Sequence, residues 1–254
     1  MSSAFAGYRP AVLKQMPGII PFRFPGVSGV ECYFTTGVYG NISLDAGLAG
    51  EEDKHRRMVL SELLGFAAWT EMRQIHSDIL KVNPDATPFD ASSAFEGDGC
   101  CTDRPGQAML SKAADCQQIL FAHVSGKYVA ALHVGWKGNA VNFPASGLRN
   151  FCAAYGIRPE DVLAVRGPSL GPKAAEFINF EQEWPAEAAK WFDRSNRCMD
   201  LWRMTKEQLI EAGLKPENIF GLDLCTYSLP ELLFSFRRGS IGRQGALIFI
   251  KVQG

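Results

Sequence analysis

Histidine is scarce in this chain, with four in 254 residues, and acidic and basic groups nearly cancel at a formal charge of −1. Without a net positive field, nothing gathers nucleic acid or an anionic membrane at long range, so a small molecule fits better than a polyanion as partner. Long apolar runs are missing too. None approaches the roughly 18 residues of a membrane-spanning helix, and Met1 to Tyr8 lacks a basic stretch followed by an apolar one. The expectation is a soluble, unexported, cytoplasmic protein. The cysteines, at 32, 100, 101, 116, 152, 198 and 225, form no CxxC pair, and their odd number in a chain too long to need staples reads as reduced thiols. Repeats with periods of roughly 20–50 residues are absent, which removes solenoids.

What is present is material for a core. Apolar residues make up 46% of the chain, enough for a single compact domain over residues 1–254. Stretches rich in β-branched and aromatic residues predict strands at Ile19–Phe24, Val30–Thr36, Ala108–Ala113, Gln117–Val124, Tyr128–Val134, Val162–Arg166 and Ala246–Val252. Helical spacing of Met58, Leu60, Leu63, Leu64 and Ala67 behind an acidic first turn predicts a helix over Glu51–Trp69. Weaker patterns cover Asn139–Tyr155, interrupted by Pro144, and Trp202–Ala212. Runs 108–124 and 127–134 read as antiparallel neighbours joined at Ser125-Gly126, which favours α+β over a doubly wound parallel sheet.

Three residues could carry chemistry. The run Lys127-Tyr-Val-Ala-Ala-Leu-His-Val-Gly-Trp-Lys-Gly138 is apolar on both faces until His133, whose ring leaves a buried sheet where glycines open space. A lone core histidine can be satisfied by a carbonyl or carboxylate, however, and Cys116, after Ala113-Ala-Asp115, has the setting of an ordinary buried thiol. His76, in Gln74-Ile-His-Ser-Asp78, can equally be a surface residue at a strand end. Spacing alone does not join the three.

The order of motifs does more. Gln74-Ile-His-Ser, Asp98-Gly, Thr102, Ala114-Asp-Cys116 and His133-Val-Gly-Trp-Lys-Gly138 resemble the YfiH, or laccase-domain, family. Arg166-Gly-Pro-Ser-Leu-Gly171, Cys225-Thr226, Phe234-Ser-Phe-Arg-Arg238 and Gly242-Arg243 extend the resemblance over roughly residues 30 to 252. It implies a single-domain α+β sandwich of largely antiparallel or mixed sheet with flanking helices, and zinc held by His76, Cys116 and His133. Two imidazoles and a thiolate suit Zn²⁺, with copper accepted by the same donors, and three ligands leave an open fourth position. The implied activities are phosphorolysis of adenosine, inosine or methylthioadenosine and deamination of adenosine, so the implied partners are a purine nucleoside and phosphate. Other members are described as peptidoglycan-editing factors or polyphenol oxidases. Four histidines cannot build a blue-copper site together with a trinuclear one.

Phosphorolysis needs an anion site, and Arg238 and Arg243 are the candidates to face ligand, with Arg237 beside them and the ribose expected near Trp136 or Arg243. A surface or strand-capping role is the plain account of such arginines. The N-terminal third departs from the family, which has Thr-Arg, Ser-Leu-Asn-Leu and Asn-Arg where this chain has Thr36-Gly37, Ser43-Leu-Asp-Ala46 and His55-Arg56. Asp45 in place of an amide weakens an anion site, Arg56 can retain a substrate-binding role, and His55 reads as solvated. On a regular strand Asp115 points away from Cys116, Gln74 shares the face of His76, and His123 falls on the opposite parity from Cys116. Two other readings stand beside the zinc enzyme: a cysteine hydrolase with Cys116 as nucleophile and His133 as base, and a metal-bearing nucleoside-binding module without turnover.

Overall fold

The computed structural model describes residues 17–45, 49–93 and 95–252. Strands β1 to β5 are Ile19–Phe22, Val30–Thr35, Ala68–Glu71, Leu80–Val82 and Gly99–Thr102. Strands β6 to β9 are Gln107–Ala113, Gln117–His123, Val129–Val134 and Val162–Arg166, and β10 to β13 are Phe192–Asp193, Cys198–Met199, Ile219–Gly221 and Gln244–Ile250. The α-helices are α1 Glu51–Leu64, α2 Trp136–Ala140, α3 Phe143–Tyr155, α4 Phe180–Glu183 and α5 Leu201–Glu211.

Two mixed sheets result, ordered β1-β2-β13-β6-β3 and β12-β9-β7-β8-β5-β4, plus a β10-β11 ribbon. The α+β class expected from the sequence is the one observed. Strands buried on both faces explain why the central runs are continuously apolar rather than alternating. In β6, Met109 enters the core between the sheets while Leu110 joins Leu60, Leu64 and Trp69 beneath α1. In β7, Leu120 faces the same intersheet core, and Ile119 and Phe121 pack with Phe143, Leu148 and Phe151 of α3 and Leu209 of α5. Each wholly buried side chain of this size contributes about 1.5–3 kcal/mol by leaving water. Among the described residues no helix is long and apolar enough to cross a membrane.

Three expectations need correction. The helix read over Glu51–Trp69 ends at Leu64, because Gly65 takes a left-handed conformation at φ 77° and its N–H donates back to Ser61 O at 2.9 Å. Trp69 then lies wholly buried in β3, whereas Met58 and Leu63 of the supposed apolar stripe face solvent. Pro144 does not interrupt a helix but sits in the first turn of α3, and the break falls at Asn142, φ 60°. The run 108–124 neighbours 127–134 only through its second strand: β6 pairs with β13 and β3 in the first sheet, and β7 with β8 and β9 in the second. The β7–β8 hairpin through Ser125-Gly126 is antiparallel as expected.

Candidate metal centre

The crossing between sheets, at residues 114–116, is what places Cys116. Asp115 adopts φ 94°, so it does not lie on a regular strand, and its peptide is held by Leu170 N–H donating to Asp115 O at 2.9 Å. Its carboxylate accepts from Thr226 Oγ1 at 2.6 Å and from Arg237 N at 2.7 Å, which ties the C-terminal segment to the crossing. Cys116 therefore enters β7 from a braced turn.

His133 comes from the end of β8, 4% exposed, and Gly135 follows it. A Cβ on Gly135 would stand 2.6 Å from His76 Cδ2 and 3.2 Å from Cys116 Sγ, so only glycine leaves room for the two side chains. Replacing Gly135 with Ala should push the His76 ring aside and weaken metal binding by at least about tenfold while the circular dichroism spectrum stays native. Unchanged metal affinity would contradict this packing.

His76 lies in a loop, at φ 59°, not on a strand shared with Gln74. That turn wraps a carboxylate: Asp98 accepts from Ile75 N at 3.2 Å, His76 N at 3.1 Å, Ser77 N at 2.6 Å and Ser77 Oγ at 2.7 Å. The same Asp98 sits 2.8 Å from His133 Nδ1 and is wholly buried. Burial pushes its carboxyl up, but the His133 bond and charge and the Ser77 donors outweigh that and hold it below the usual range. As a carboxylate it keeps a proton on His133 Nδ1, which leaves Nε2 as the nitrogen on which a metal would replace a proton. Asp98 was part of a motif in the sequence but carried no role there, since only the fold brings it behind both histidines. Gln74 instead braces β6, its amide pairing with the Lys112 backbone at 2.6 and 2.8 Å.

The three donor atoms of His76, Cys116 and His133 all lie within 4.8 Å of one another, with Cys116 Sγ 3.9 Å from His76 Nε2. Donors around one tetrahedral zinc stand about 3.3–3.6 Å apart, so an ion would need only a small contraction of the trio. The donor set fits a transition metal, and among the described residues this is the one cluster of its kind. His123, at the far end of β7, bonds Ser125 instead.

Electrostatics sharpen the trio. Burial would raise the Cys116 thiol, yet the His133 and His76 rings bring it down to about 6. Burial would lower His133, but Cys116 and Asp98 hold it up at about 9. In metal-free protein the thiolate is thus present above about pH 6 and lost as pH falls through it. Alkylation of Cys116, followed by peptide mass spectrometry after chelation, should be half-maximal near pH 6, and a midpoint at the ordinary thiol value of roughly 8.5 would refute the pairing.

The trio opens into a cavity of about 710 Å³. Trp136, Arg237 and Arg243 line it, as do residues not anticipated as site groups, namely Lys112 and Phe177, together with Asp45. Arg243 Nη1 donates to the carbonyls of Ile241 and Gly242 at 3.0 and 2.9 Å. Its Nε and Nη2 make no hydrogen bond among the described residues, and the guanidinium lies over the Phe236 ring at 5.7 Å. Arg238 and Arg56 are not in the lining. Arg238 spends its guanidinium on the carbonyls of Thr226, Tyr227 and Leu233, and Arg56 pairs with Glu52, Asp53 and Asn41 O beside α1. His55 is exposed on α1. Cys100 and Cys101 are core residues of β5.

Comparison with known proteins gives the arrangement its context. The family model described as multi-copper polyphenol oxidoreductase laccase matches residues 31–251. Purine nucleoside phosphorylase YfiH of Escherichia coli is 31% identical over 208 residues, covering 79% of this chain and 80% of that protein. A purine nucleoside phosphorylase of Xylella fastidiosa is 32% identical over 238 residues, covering 90% and 86%. The crystal structure of Neisseria meningitidis protein NMB0706 superposes with a TM-score of 0.79 at 25% identity, covering 92% of this chain and all of that one. With the motif order, the fold and the match over residues 31–251 in agreement, the chain belongs to the laccase-like polyphenol oxidoreductase family that includes YfiH.

Proposed function

We propose that this protein is a single-domain, cytoplasmic, zinc-dependent purine nucleoside enzyme that cleaves adenosine, inosine or methylthioadenosine with phosphate, deaminates adenosine, or does both. The observation that carries this reading is that His76, Cys116 and His133 share one cavity with both an apolar cluster and charged side chains. Trp136, Leu170, Phe177 and Leu201 pack together as its apolar wall, and the paired Asp45 and Lys112, with Arg243, are among the charged groups that line it. The Trp136 and Phe177 rings meet edge to face with centroids 6.1 Å apart, a surface on which a purine can lie. Arg243 then offers its free N–H edge to ribose or phosphate oxygens. The relatives named as purine nucleoside phosphorylases support the same assignment.

When bound, zinc supplies a Lewis acid with an open coordination position beside the substrate. The chain's own contribution is orientation. Asp98 fixes the His133 tautomer, Gly135 admits the His76 ring, and the apolar wall excludes water from the base. Copper is compatible with the same donors, so elemental analysis is the first test. About one zinc per chain is expected, with adenine formed from adenosine only when phosphate is present, or inosine formed regardless. Protein carrying one metal per chain and giving neither product would overturn the nucleoside reading.

One observation favours a second reading. Cys116, His133 and Asp98 follow one another as nucleophile, base and orienting carboxylate do in thiol hydrolases, with His133 Nδ1 2.8 Å from Asp98. Such an enzyme would keep its activity after chelation, whereas the zinc enzyme would lose it.

A further inference from the structure

The charged cavity wall has an interior extension. Arg57 and Glu71 pair with both side chains wholly buried, and Arg57 also lies over the Trp69 ring at 4.4 Å. Glu71 Oε2 meets Lys112 Nζ at 2.5 Å, and Lys112, its side chain 4% exposed, pairs in turn with Asp45. Four alternating charges therefore run from the first sheet's core to the cavity. Ion pairs sunk this deep add little stability over apolar residues of the same volume, so folding is a poor explanation for the chain of them.

Its charge balance is informative. Arg57, Glu71 and Lys112 sum to +1, and only Asp45 brings the cluster to zero. Asp45 is the outermost member, with its side chain 29% exposed, and Ser92 is its other hydrogen-bonding partner. An ammonium has three N–H donors; on Lys112 one goes to Asp45 in a hydrogen bond, while Glu71 Oε2 lies in ion-pair contact without accepting one. Lys112 is the Cα partner of Gly245 on β13, two residues beyond Arg243, and Lys112 and Arg243 line one cavity. Glu71, itself held by Arg57, prevents the ammonium from following Asp45 outward.

We propose that Lys112 is a binding group for inorganic phosphate and that Asp45 is an internal carboxylate with which phosphate competes. This rests on the cavity assigned above, and adds to it a cation that is masked in the resting protein. A phosphate oxygen takes the place of Asp45 on Lys112, and Asp45 turns toward solvent. Native affinity for phosphate is low because the incoming anion must displace one already paired.

The test is calorimetric titration of inorganic phosphate into metal-loaded protein without nucleoside. Asp45→Asn removes the competing charge at a half-buried position and should tighten phosphate binding by about tenfold or more, the equivalent of roughly 1.4 kcal/mol. Adding Lys112→Met should reverse the gain, and adding Lys112→Arg should retain most of it. Phosphate affinity in Asp45→Asn equal to or weaker than native would overturn the proposal, as would a gain that survives Lys112→Met. Should the Met variant fail to fold with Glu71 left half-paired, the Asp45→Asn titration decides alone. Nucleoside turnover is read separately. Tighter phosphate binding without any nucleoside product supports the Lys112 site and counts only against the nucleoside assignment.

Discussion

Cys116→Ala is expected to lose its metal and its nucleoside turnover together. Two imidazoles remain, but one of them, His76, sits in an exposed loop, so the residual pair has neither the thiolate charge nor a third point of attachment. Loss of a partner that merely orients a ligand costs about 10–100-fold in metal affinity, and loss of the ligand itself should exceed that range. The fold should survive, because Cys116 is only half-buried at the cavity edge and Asp115 holds the crossing through its own contacts with Thr226, Arg237 and Leu170. Metal content by elemental analysis, adenosine turnover and thermal melting distinguish these effects. A metal-bearing Cys116→Ala protein with native activity would remove the trio from the mechanism.

Asp98→Asn should cost about 10–100-fold in metal affinity and also lower stability, although its side chain touches no ion directly. The carboxylate receives three backbone N–H groups, a hydroxyl and the His133 ring. An amide has one acceptor oxygen, so either the His133 N–H or part of the turn at residues 75–77 loses its acceptor, and its NH₂ faces donors. Each orphaned buried donor costs about 1–3 kcal/mol, measurable by urea denaturation. The native carboxyl titrates below its ordinary value, so its contribution to stability is present above about pH 4 and fades as pH falls through the lowered folded value. Asp98→Asn should therefore flatten the acid limb of the stability curve. Native metal affinity in this variant would mean that His133 is oriented by its packing alone.

Where the sequence misled, the cause was local. Glycine at 65 is compatible with a helix interior at a cost of only about 1 kcal/mol, and nothing within residues 51–69 says that Trp69 has a buried slot in β3. The apolar pattern at Met58 and Leu63 counted residues that the first sheet never covers. The three arginines of the C-terminal motifs look alike in the sequence. Arg238 is consumed by three carbonyls and Arg237 by those of Ala174 and Glu176, while Arg243 keeps one edge free.

By itself the sequence determined the α+β class, the positions of the long strands and, through motif order, the identity of three residues able to share an ion. These follow from short-range chemistry: strand propensity, apolar runs and the donor types that a metal accepts. Tertiary structure alone decided that residues 40 and 17 positions apart converge, that Asp98 stands behind two of them, and that Lys112 and Asp45 meet in the wall of their cavity. The reason is the crossing at Asp115, where the chain leaves one sheet for the other. A single left-handed residue there brings side chains of both sheets to one cavity, and no local pattern encodes which distant strands will flank it.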